Sequence, residues 1–481
     1  MANYELIDET NGVRYKHLGW RIALLVSLCV CSTALVYRIW QHIYGPYYTV
    51  ILRYPQFKQN IPPEWVERAT MYSLAYQNQT QESHDFRLVK NSTFRIKYLH
   101  SEQDDNSSIE SNSILAPAPN ETLVVCYFTV NNADVQYEDL NLTQVNGTLC
   151  THINVGMAFI NNSSIVISQS LNNTLVRDMP QLRKQFPHLK FLLCIGGGGS
   201  ASDGFPDMVK NHQSRKVFIQ SLKEVLRKYT LDGCDLDWEF PSAYNRERMH
   251  FSQLLYEIRQ EYVRERRDYL LSVAVAAPEG IALFAYDVAE LNKYADHVNL
   301  MSYDYHFYTK GTPFTGLNAP LYARSNEQSI LATLNINYSV NWWLKNGLER
   351  KKLIVGLPTY GHSFTLVNPF NTAIGAPASD YGHTGNQGFV ASGEICWFLQ
   401  HNILSSLEYD KDACSCYASS ATEWIAFDQA TSLACKAKYI KMHGLGGAMM
   451  FSLNTDDFKG ICVQGKKFPL IEVVYKILKK S

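Results

Sequence analysis

Eight short apolar runs, alternating with amphipathic segments, constrain most what this chain can fold into. The runs lie after residue 121 and read LVVCYFTV, HINVGMAFI, LKFLLCIGG, GCDLDWEF, LLSVAVAA, HVNLMSYDY, KLIVGLPTY and GGAMMFSL. Their length and composition predict buried β-strands, whereas intervening stretches such as FSQLLYEIRQEYV have helical spacing. Eight strands alternating with helices predict an α/β fold, a (β/α)8 barrel. A gap of roughly 90 residues before the last run predicts an insertion, because an unstructured loop of that length is unusual.

The fourth run contains the stretch DLDWEF, which places three carboxylates among apolar residues. Side chains alternate across a strand, so Asp235, Asp237 and Glu239 share one face at spacings of about 6–7 Å, and we expect that face to line the barrel interior. Like charges so close repel, which raises one apparent pKa and makes the row titrate as a coupled unit. Glu239 is the last acid before Pro241, at the strand end where barrel active sites lie. A carboxylic acid kept protonated near neutral pH suits general acid catalysis.

Non-catalytic interpretations of these motifs fit less well. An EF-hand begun at Asp235 needs Gly sixth and Glu twelfth, where Phe240 and Arg246 stand. A solvated edge strand is disfavoured by the apolar residues between the acids. The Gly196–Gly199 run lacks the following Gly-Lys-Ser/Thr of a phosphate loop. His residues show no ligand spacing, so the sequence predicts no metal and no cofactor.

The acidic motif resembles that of a known enzyme family. LDGCDLDWEFP is similar to the D-x-x-D-x-D-x-E signature of glycoside hydrolase family 18, the chitinases and chitinase-like lectins. The signature positions are filled by Asp232, Asp235, Asp237 and Glu239. CYFTV, CTHINVGMAF, LLCIGG and MSYDYH resemble further family motifs in the family's order. These motifs contribute Gly196 and Gly197 with Cys194 in place of a serine, and Met301, Tyr303 and Asp304.

The resemblance covers residues 122–475 and implies several structural features. It implies an α+β insertion between strands seven and eight, at about residues 362–430. It also implies two disulfides, Cys126 with Cys150 and Cys396 with Cys462. The remaining cysteines Cys414, Cys416 and Cys435 cannot all pair among themselves.

The resemblance implies substrate-assisted hydrolysis of β-1,4-linked N-acetylglucosamine. Glu239 would be the acid and base, and Asp237, tuned by Asp235, would orient the 2-acetamido group. Tyr303 would hydrogen-bond the acetamido carbonyl oxygen. The residues that would bind substrate around them are Tyr127, Met301, Asp304, Tyr360 and Phe451. Asp232 and the two glycines, Gly196 and Gly197, would be structural.

The chain departs from the family in its sugar-binding surface. Family chitinases line their cleft with tryptophans, but the corresponding positions here are Asn131, Gly198 and Phe451, and His362 stands where the family has Arg. Each lost aromatic face removes on the order of 1 kcal/mol of binding, so long crystalline chitin is a poor expected substrate. Two functions therefore remain open, a glycosidase acting on chito-oligosaccharides or N-acetylglucosamine-containing glycans, and a catalytically weak or inactive lectin that binds them.

The N-terminus contains an uncharged apolar run of 16 residues, 22–37, between two arginines. With flanking aromatic residues it predicts a transmembrane signal-anchor at residues 21–40, and the preceding basic residues keep residues 1–20 cytosolic. The protein would then be a single-pass type II membrane protein. The alternative is secretion after signal cleavage, with Ser32 and Ala34 placed for cleavage.

The chain after the predicted anchor has features of a lumenal or extracellular protein. Nine of the 11 cysteines of the whole chain lie after the predicted anchor, in a compartment where disulfides are stable. Ten N-x-S/T sequons also follow the anchor, at Asn78, Asn91, Asn106, Asn120, Asn141, Asn146, Asn161, Asn162, Asn172 and Asn337. Residues 41–121 are polar and predict a glycosylated stem. Lys and Arg number 44 against 45 Asp and Glu, which gives no basic surplus for nucleic acid.

Overall fold

The structure is a computed structural model that describes Ala116, Pro119, residues 121–130 and residues 140–479. The predicted cytosolic tail, the anchor and most of the stem lie outside the described residues, as does Asn131. Within the described part of the chain, no helix has both the length and the hydropathy to cross a bilayer. Apart from residues 310–312, the described residues belong to one compact unit.

Eight parallel strands close into a barrel, which confirms the predicted fold. The barrel strands are β1 (Leu123–Thr129), β2 (His152–Asn161), β4 (Lys190–Gly197), β5 (Gly233–Trp238), β6 (Leu270–Ala276), β7 (His297–Met301), β8 (Leu353–Pro358) and β15 (Gly447–Phe451). Strand β1 pairs with β2 on one side and with β15 on the other, and the remaining order is β15, β8, β7, β6, β5, β4, β2. Strand β3 (Ser164–Val166) pairs antiparallel with β2. All eight predicted runs contain one barrel strand each.

The helices surround the barrel and begin where local sequence satisfies their free N–H groups. Asn211, Asp287 and Asn335 each accept a hydrogen bond from a backbone N–H in the first turn of the following helix. The α-helices are Gln169–Asn173, Met179–Gln185, Phe205–Val209, His212–Lys228, Glu247–Arg264, Glu279–Ala285, Val288–Tyr294, Ile336–Lys345, Ser392–His401, Ala430–Met442 and Pro469–Lys479.

A second, antiparallel sheet lies between β8 and β15 in the sequence. Its strands are β9 (Tyr360–Leu366), β10 (Ala378–Tyr381), β11 (Phe389–Ala391), β12 (Ser406–Asp410), β13 (Ser415–Ser420) and β14 (Glu423–Phe427). Five of them follow the order β10, β9, β14, β13, β12, and β11 pairs with β9. Because β9 starts two residues after β8 ends, the insertion is attached directly to the C-terminal rim of the barrel.

Candidate active site

Strand β5 directs its acids into the barrel and its aromatic residues outward. Asp235 and Asp237 are buried in the interior, and Glu239 is half-buried one residue beyond the end of the strand. On the opposite face the Trp238 ring stacks on Phe205 with centroids 5.2 Å apart. The alternation of polar and apolar residues therefore brings three carboxyl groups to the open end of the barrel.

The deepest acid, Asp235, is surrounded by hydrogen-bond donors. Its Oδ1 accepts hydrogen bonds from the Ser272 hydroxyl at 2.5 Å and from Asn299 Nδ2 at 3.0 Å. Its Oδ2 accepts one from the Tyr127 hydroxyl at 2.5 Å, and the Cys194 thiol lies 3.5 Å from the same oxygen. Burial raises the pKa of Asp235 and these hydrogen bonds lower it. Asp235 is thereby held in one orientation by four different strands.

Asp237 lies in a different environment although it is only two residues away. It is buried, and its Oδ1 has no hydrogen-bond partner among the described residues. Burial raises its pKa well above the ordinary value, and the charges of Glu239 and Asp235 raise it further. An unpartnered buried oxygen is costly unless a ligand group satisfies it, so Asp237 is suited to bind a hydrogen-bond donor from a substrate.

Glu239 has the protonation behaviour of a general acid. Burial, and after it the charge of Asp304, raise its pKa to about 7. Its backbone N–H donates to the Ser202 hydroxyl oxygen at 2.9 Å, and that hydroxyl in turn donates to the carbonyl of Gly197 at 2.8 Å. The loop after β4 therefore fixes the backbone from which Glu239 projects.

Two glycines at the end of β4 allow close packing against the neighbouring strands, Gly196 against β5 and Gly197 against Met157 of β2. Gly196 has φ +105°, and a Cβ there would lie 2.2 Å from the Asp237 carbonyl oxygen. Gly197 has φ +108°, and its Cβ would lie 3.0 Å from the Met157 methyl carbon. Only glycine combines this conformation with this contact distance.

A second polar cluster lies close to Glu239 and is centred on Asp304. Its Oδ1 accepts a hydrogen bond from the Tyr360 hydroxyl at 2.5 Å and lies 2.7 Å from His362 Nε2. The backbone N–H of Asp304 donates to Asn318 Oδ1 at 2.9 Å, and Asp304 has φ +55°. His362, which occupies the position of the family's arginine, thus contacts the carboxylate that raises the pKa of Glu239.

Aromatic rings form the floor beside the acids. The Phe451 ring lies 5.7 Å from Tyr303, 5.5 Å from Tyr127 and 6.2 Å from Tyr360, centroid to centroid. The Tyr303 hydroxyl makes a contact of 3.7 Å with the Met449 sulfur, a weak acceptor that leaves it available to a ligand. Met301 ends β7 on the same interior face and is half-buried. Every predicted catalytic and substrate-binding residue therefore lies at this end of the barrel.

Several supporting residues were missed by the sequence reasoning. Ser272 and Asn299 hold Asp235, Ser202 holds the Glu239 backbone, and Asn318 holds Asp304. Ser272 and Asn299 are polar residues at inward positions of otherwise apolar runs, and that pattern was a usable signal. Ser202 and Asn318 lie in loops, where no periodicity marks them.

Asp232, which was predicted to be structural, and the disulfides join separate segments of the fold. Asp232 Oδ2 accepts hydrogen bonds from the Phe191 N–H and from Arg183, both at 2.9 Å, and so ties β4 to the segment before β5. The structure pairs Cys126 with Cys150 and Cys396 with Cys462, the pairs that the resemblance implies. A third disulfide joins Cys414 to Cys435, and within residues 140–479 the free cysteines are Cys194, Cys234 and Cys416.

The loss of an aromatic residue after the β4 glycines leaves space beside the acid. A Cβ on Gly198 would lie 3.7 Å from both carboxylate oxygens of Glu239. Among the described residues, no group of three or more His, Cys, Asp or Glu side chains is arranged to hold a metal ion.

Comparison of this chain with known protein families and proteins identifies the family to which it belongs. The family model for glycosyl hydrolases family 18 matches residues 123–456. The chain belongs to this family. Mouse chitotriosidase-1 is 34% identical over 367 residues, which cover 73% of this chain and 77% of that protein.

Solved structures of family members divide between active and inactive proteins. Human YKL-39, described as a pseudo-chitinase with retained chitooligosaccharide binding properties, is 32% identical with a TM-score of 0.70, and the match covers 75% of this chain and 100% of that one. The group IV chitinase of Ostrinia furnacalis is 30% identical with a TM-score of 0.68, over 75% of this chain and 100% of that one. The family thus includes both kinds of protein at similar distance, and the decision between them falls to the site residues.

Proposed function

We propose that this family 18 member hydrolyses β-1,4-linked N-acetylglucosamine oligomers by a substrate-assisted, retaining mechanism. The observation that carries the proposal is the pair formed by Glu239 and Asp237. Glu239 has a pKa of about 7 and can enter the reaction protonated, while the Asp237 carboxyl next to it keeps an oxygen without a partner. A protonated acid beside a fixed hydrogen-bonding carboxyl is what this chemistry requires.

In the proposed reaction Glu239 gives its proton to the glycosidic oxygen as the bond to the anomeric carbon breaks. The 2-acetamido carbonyl oxygen of the same sugar forms a new bond to that carbon, so an oxazolinium ion is the intermediate. Asp237 accepts a hydrogen bond from the acetamido N–H, and the Tyr303 hydroxyl donates one to the acetamido carbonyl oxygen. Glu239, now the base, then takes a proton from a water molecule whose oxygen attacks the anomeric carbon. The bond between that carbon and the acetamido oxygen breaks, which restores the acetamido group, and the configuration is retained. The internal nucleophile accelerates the reaction by proximity.

The aromatic floor and the buried network support this assignment of roles. The Phe451 ring lies beside Tyr303 and gives the reacting sugar a flat apolar surface. Asp235 is held in place by Tyr127, Ser272 and Asn299. Its charge is one of the causes that raise the pKa of Asp237. Asp304 keeps the pKa of Glu239 raised from the other side.

The test is turnover of a fluorogenic chitobioside and chitotrioside by the full-length protein. We expect measurable hydrolysis with retained configuration, a loss of about 10²–10⁴-fold in kcat in Glu239→Gln, and a clear loss in Asp237→Ala. The exposed Glu224→Gln is the matched control and should keep the full rate. An unchanged rate in Asp237→Ala would contradict the substrate-assisted mechanism.

A second candidate is a membrane-tethered lectin that binds chito-oligosaccharides without cleaving them. It is favoured by Gly198, where the cleft has no aromatic side chain beside Glu239, and by the likeness to the pseudo-chitinase YKL-39. Saturable binding of a chito-oligosaccharide without turnover at any pH from 3 to 9 would support it. Retention of all three β5 acids supports the enzyme instead.

We also propose that the barrel is lumenal or extracellular and held by the N-terminal anchor, as a type II membrane protein. Three disulfides support an oxidising compartment. Six sequon asparagines lie in the described part of the chain. Asn146, Asn161 and Asn162 are exposed and open to glycosylation, and Asn141, Asn172 and Asn337 are half-buried. Immunoblotting after treatment with an N-glycosidase tests this, since a cytosolic barrel would show no mass shift.

A further inference from the structure

A second cavity lies at the same rim of the barrel, beyond the residues assigned to catalysis. It has a volume of about 930 Å³ and is bounded by the helix Ser392–His401, the loop before β11 and the loop that follows β15. Asn454 in that last loop clasps the end of β1, with Nδ2 donating to the Thr129 carbonyl at 2.9 Å and Oδ1 accepting from its N–H at 2.8 Å. We call this cavity the Trp397 pocket.

A rigid aromatic platform forms one side of the Trp397 pocket. The Trp397 side chain is 55% exposed, and its ring stacks on His401 with centroids 4.3 Å apart and planes 21° from parallel. The adjacent residue, Cys396, is joined to Cys462 by a disulfide, so the platform is tied to the loop after β15. A large exposed ring held in one orientation binds the apolar face of a ligand with little loss of conformational freedom.

The walls of the pocket are fixed from within by buried carboxylates. Glu423 accepts hydrogen bonds from the backbone N–H groups of His383 at 2.9 Å and Thr384 at 2.8 Å. Asp457 Oδ1 accepts two more, from Gly460 at 2.8 Å and Ile461 at 2.9 Å. These hydrogen bonds fix the conformation of the two loops on either side of the cavity, so the site is preformed. Its volume lies within the range that is typical for small-ligand sites, about 300–1,000 Å³.

The chemistry of the lining suits a ligand that has both an apolar face and many hydroxyl groups. Apolar surface comes from Phe398 and Phe458 in addition to the tryptophan, neutral polar side chains come from Asn402, Ser420 and Thr422, and the charged side chains of Glu394 and Lys459 also line the cavity. The side-chain oxygens among them accept hydrogen bonds from donors such as hydroxyl and amide N–H groups. Pyranose rings present one apolar face and a rim of such donors.

From this lining we infer that the Trp397 pocket is a second saccharide-binding site, which holds an N-acetylglucosamine-containing chain with a sugar ring stacked on Trp397. The choice of sugar rests on the proposed function, but the platform, the cavity and the clamped walls do not. A site at the rim would keep an oligosaccharide attached to the protein while the acids act on another chain or another part of it. It would also supply aromatic binding surface that the cleft lacks at Gly198.

The test is calorimetric titration of the full-length Glu239→Gln protein with the N-acetylglucosamine tetramer. We expect two binding events per chain, of which Trp397→Ala weakens one by at least about tenfold and Phe451→Ala weakens the other. Trp397→Phe keeps a ring and should weaken the first event less than alanine does. Phe370→Ala, at an aromatic side chain that is 94% exposed elsewhere in the insertion, is the control and should change neither event.

The outcomes separate this inference from the proposed function. A single event that Phe451→Ala abolishes and Trp397→Ala leaves unchanged would overturn the second site. Two events together with no hydrolysis by the wild-type protein would sustain the second site and overturn the glycosidase. Melting temperatures of the two aromatic variants equal to that of Phe370→Ala show that lost binding reflects the ring and not the fold.

Discussion

At the scale of single residues, three carboxyl groups of one short strand differ because their neighbours differ. Asp235 is saturated with hydrogen-bond donors, Asp237 retains an oxygen without a partner, and Glu239 sits at the mouth near another negative charge. The spacing of the acids brings them together, but burial, donors and neighbouring charges set their protonation. Similar carboxyl groups are therefore suited to the different roles that we propose for them.

The pH dependence of the proposed reaction depends on the pKa of Glu239. In that proposal the protonated form is catalytic, so kcat/KM should fall as the pH rises through about 7, the raised pKa of this group. Because the charge of Asp304 contributes to that increase, Asp304→Asn should lower the pKa of Glu239 and shift the fall in kcat/KM to lower pH, whatever it does to the maximal rate. The exposed Asp380→Asn is the control and should leave the pH of this fall unchanged. An unchanged pH profile in Asp304→Asn would mean that Asp304 and Glu239 are not coupled.

At the scale of elements, the close approach of β4 and β5 decides whether the acids reach the mouth. Gly196 pairs with Asp237 in the register of these two strands. The missing side chain at Gly196 lets the carbonyl of Asp237 come within a distance that no other residue tolerates. The glycine motif is thus a packing requirement of the catalytic strand.

Two alanine substitutions separate this packing requirement from backbone strain. Gly196→Ala introduces a Cβ 2.2 Å from a carbonyl oxygen at φ +105°, whereas at Gly199, with φ +62°, a Cβ meets nothing within 4 Å. We expect Gly196→Ala to lower the free energy of unfolding by about 2–4 kcal/mol and Gly199→Ala by about 1 kcal/mol. Urea denaturation of both variants measures the difference. Equal losses would show that strain alone, and not the strand contact, explains the glycine.

The sequence predicted the strands of the fold better than it predicted contacts between individual side chains. The eight strands and the inward direction of Asp235 and Asp237 follow from alternation and from chain order, both of which are local patterns. The residues that hold the acids could not be predicted from such local patterns, because Asn299 is 64 positions from Asp235 in the sequence and Ser202 is in a loop. The Trp397 pocket was likewise not predicted, since it forms only when the insertion and the loop after β15 come together.

At the scale of the whole molecule, the insertion adds a second sheet to the barrel and also contributes residues to the site. Tyr360, at the start of β9, donates to Asp304, and its ring stacks on Phe389 of β11 with centroids 4.3 Å apart. The insertion therefore forms one wall of the cleft, and the loop after β4 with Gly198 lies on the side of Glu239. The affinity of the cleft for oligosaccharides of different lengths depends on how much aromatic surface these walls expose.

Restoring a ring beside Glu239 should increase the affinity for long ligands selectively. Gly198 has an ordinary extended φ of −63°, and a Cβ there would make only van der Waals contact with the Glu239 carboxylate, so the backbone accepts a side chain at this position. The change that restores the ring is Gly198→Trp. One stacked sugar adds about 1 kcal/mol, so the Kd for the N-acetylglucosamine tetramer in the Glu239→Gln background should fall about fivefold. The dimer, whose rings need not reach this position, should gain less. Gly198→Ala adds the Cβ without the ring and should leave both affinities unchanged, so an equal gain from alanine would trace the effect to the backbone and not to stacking.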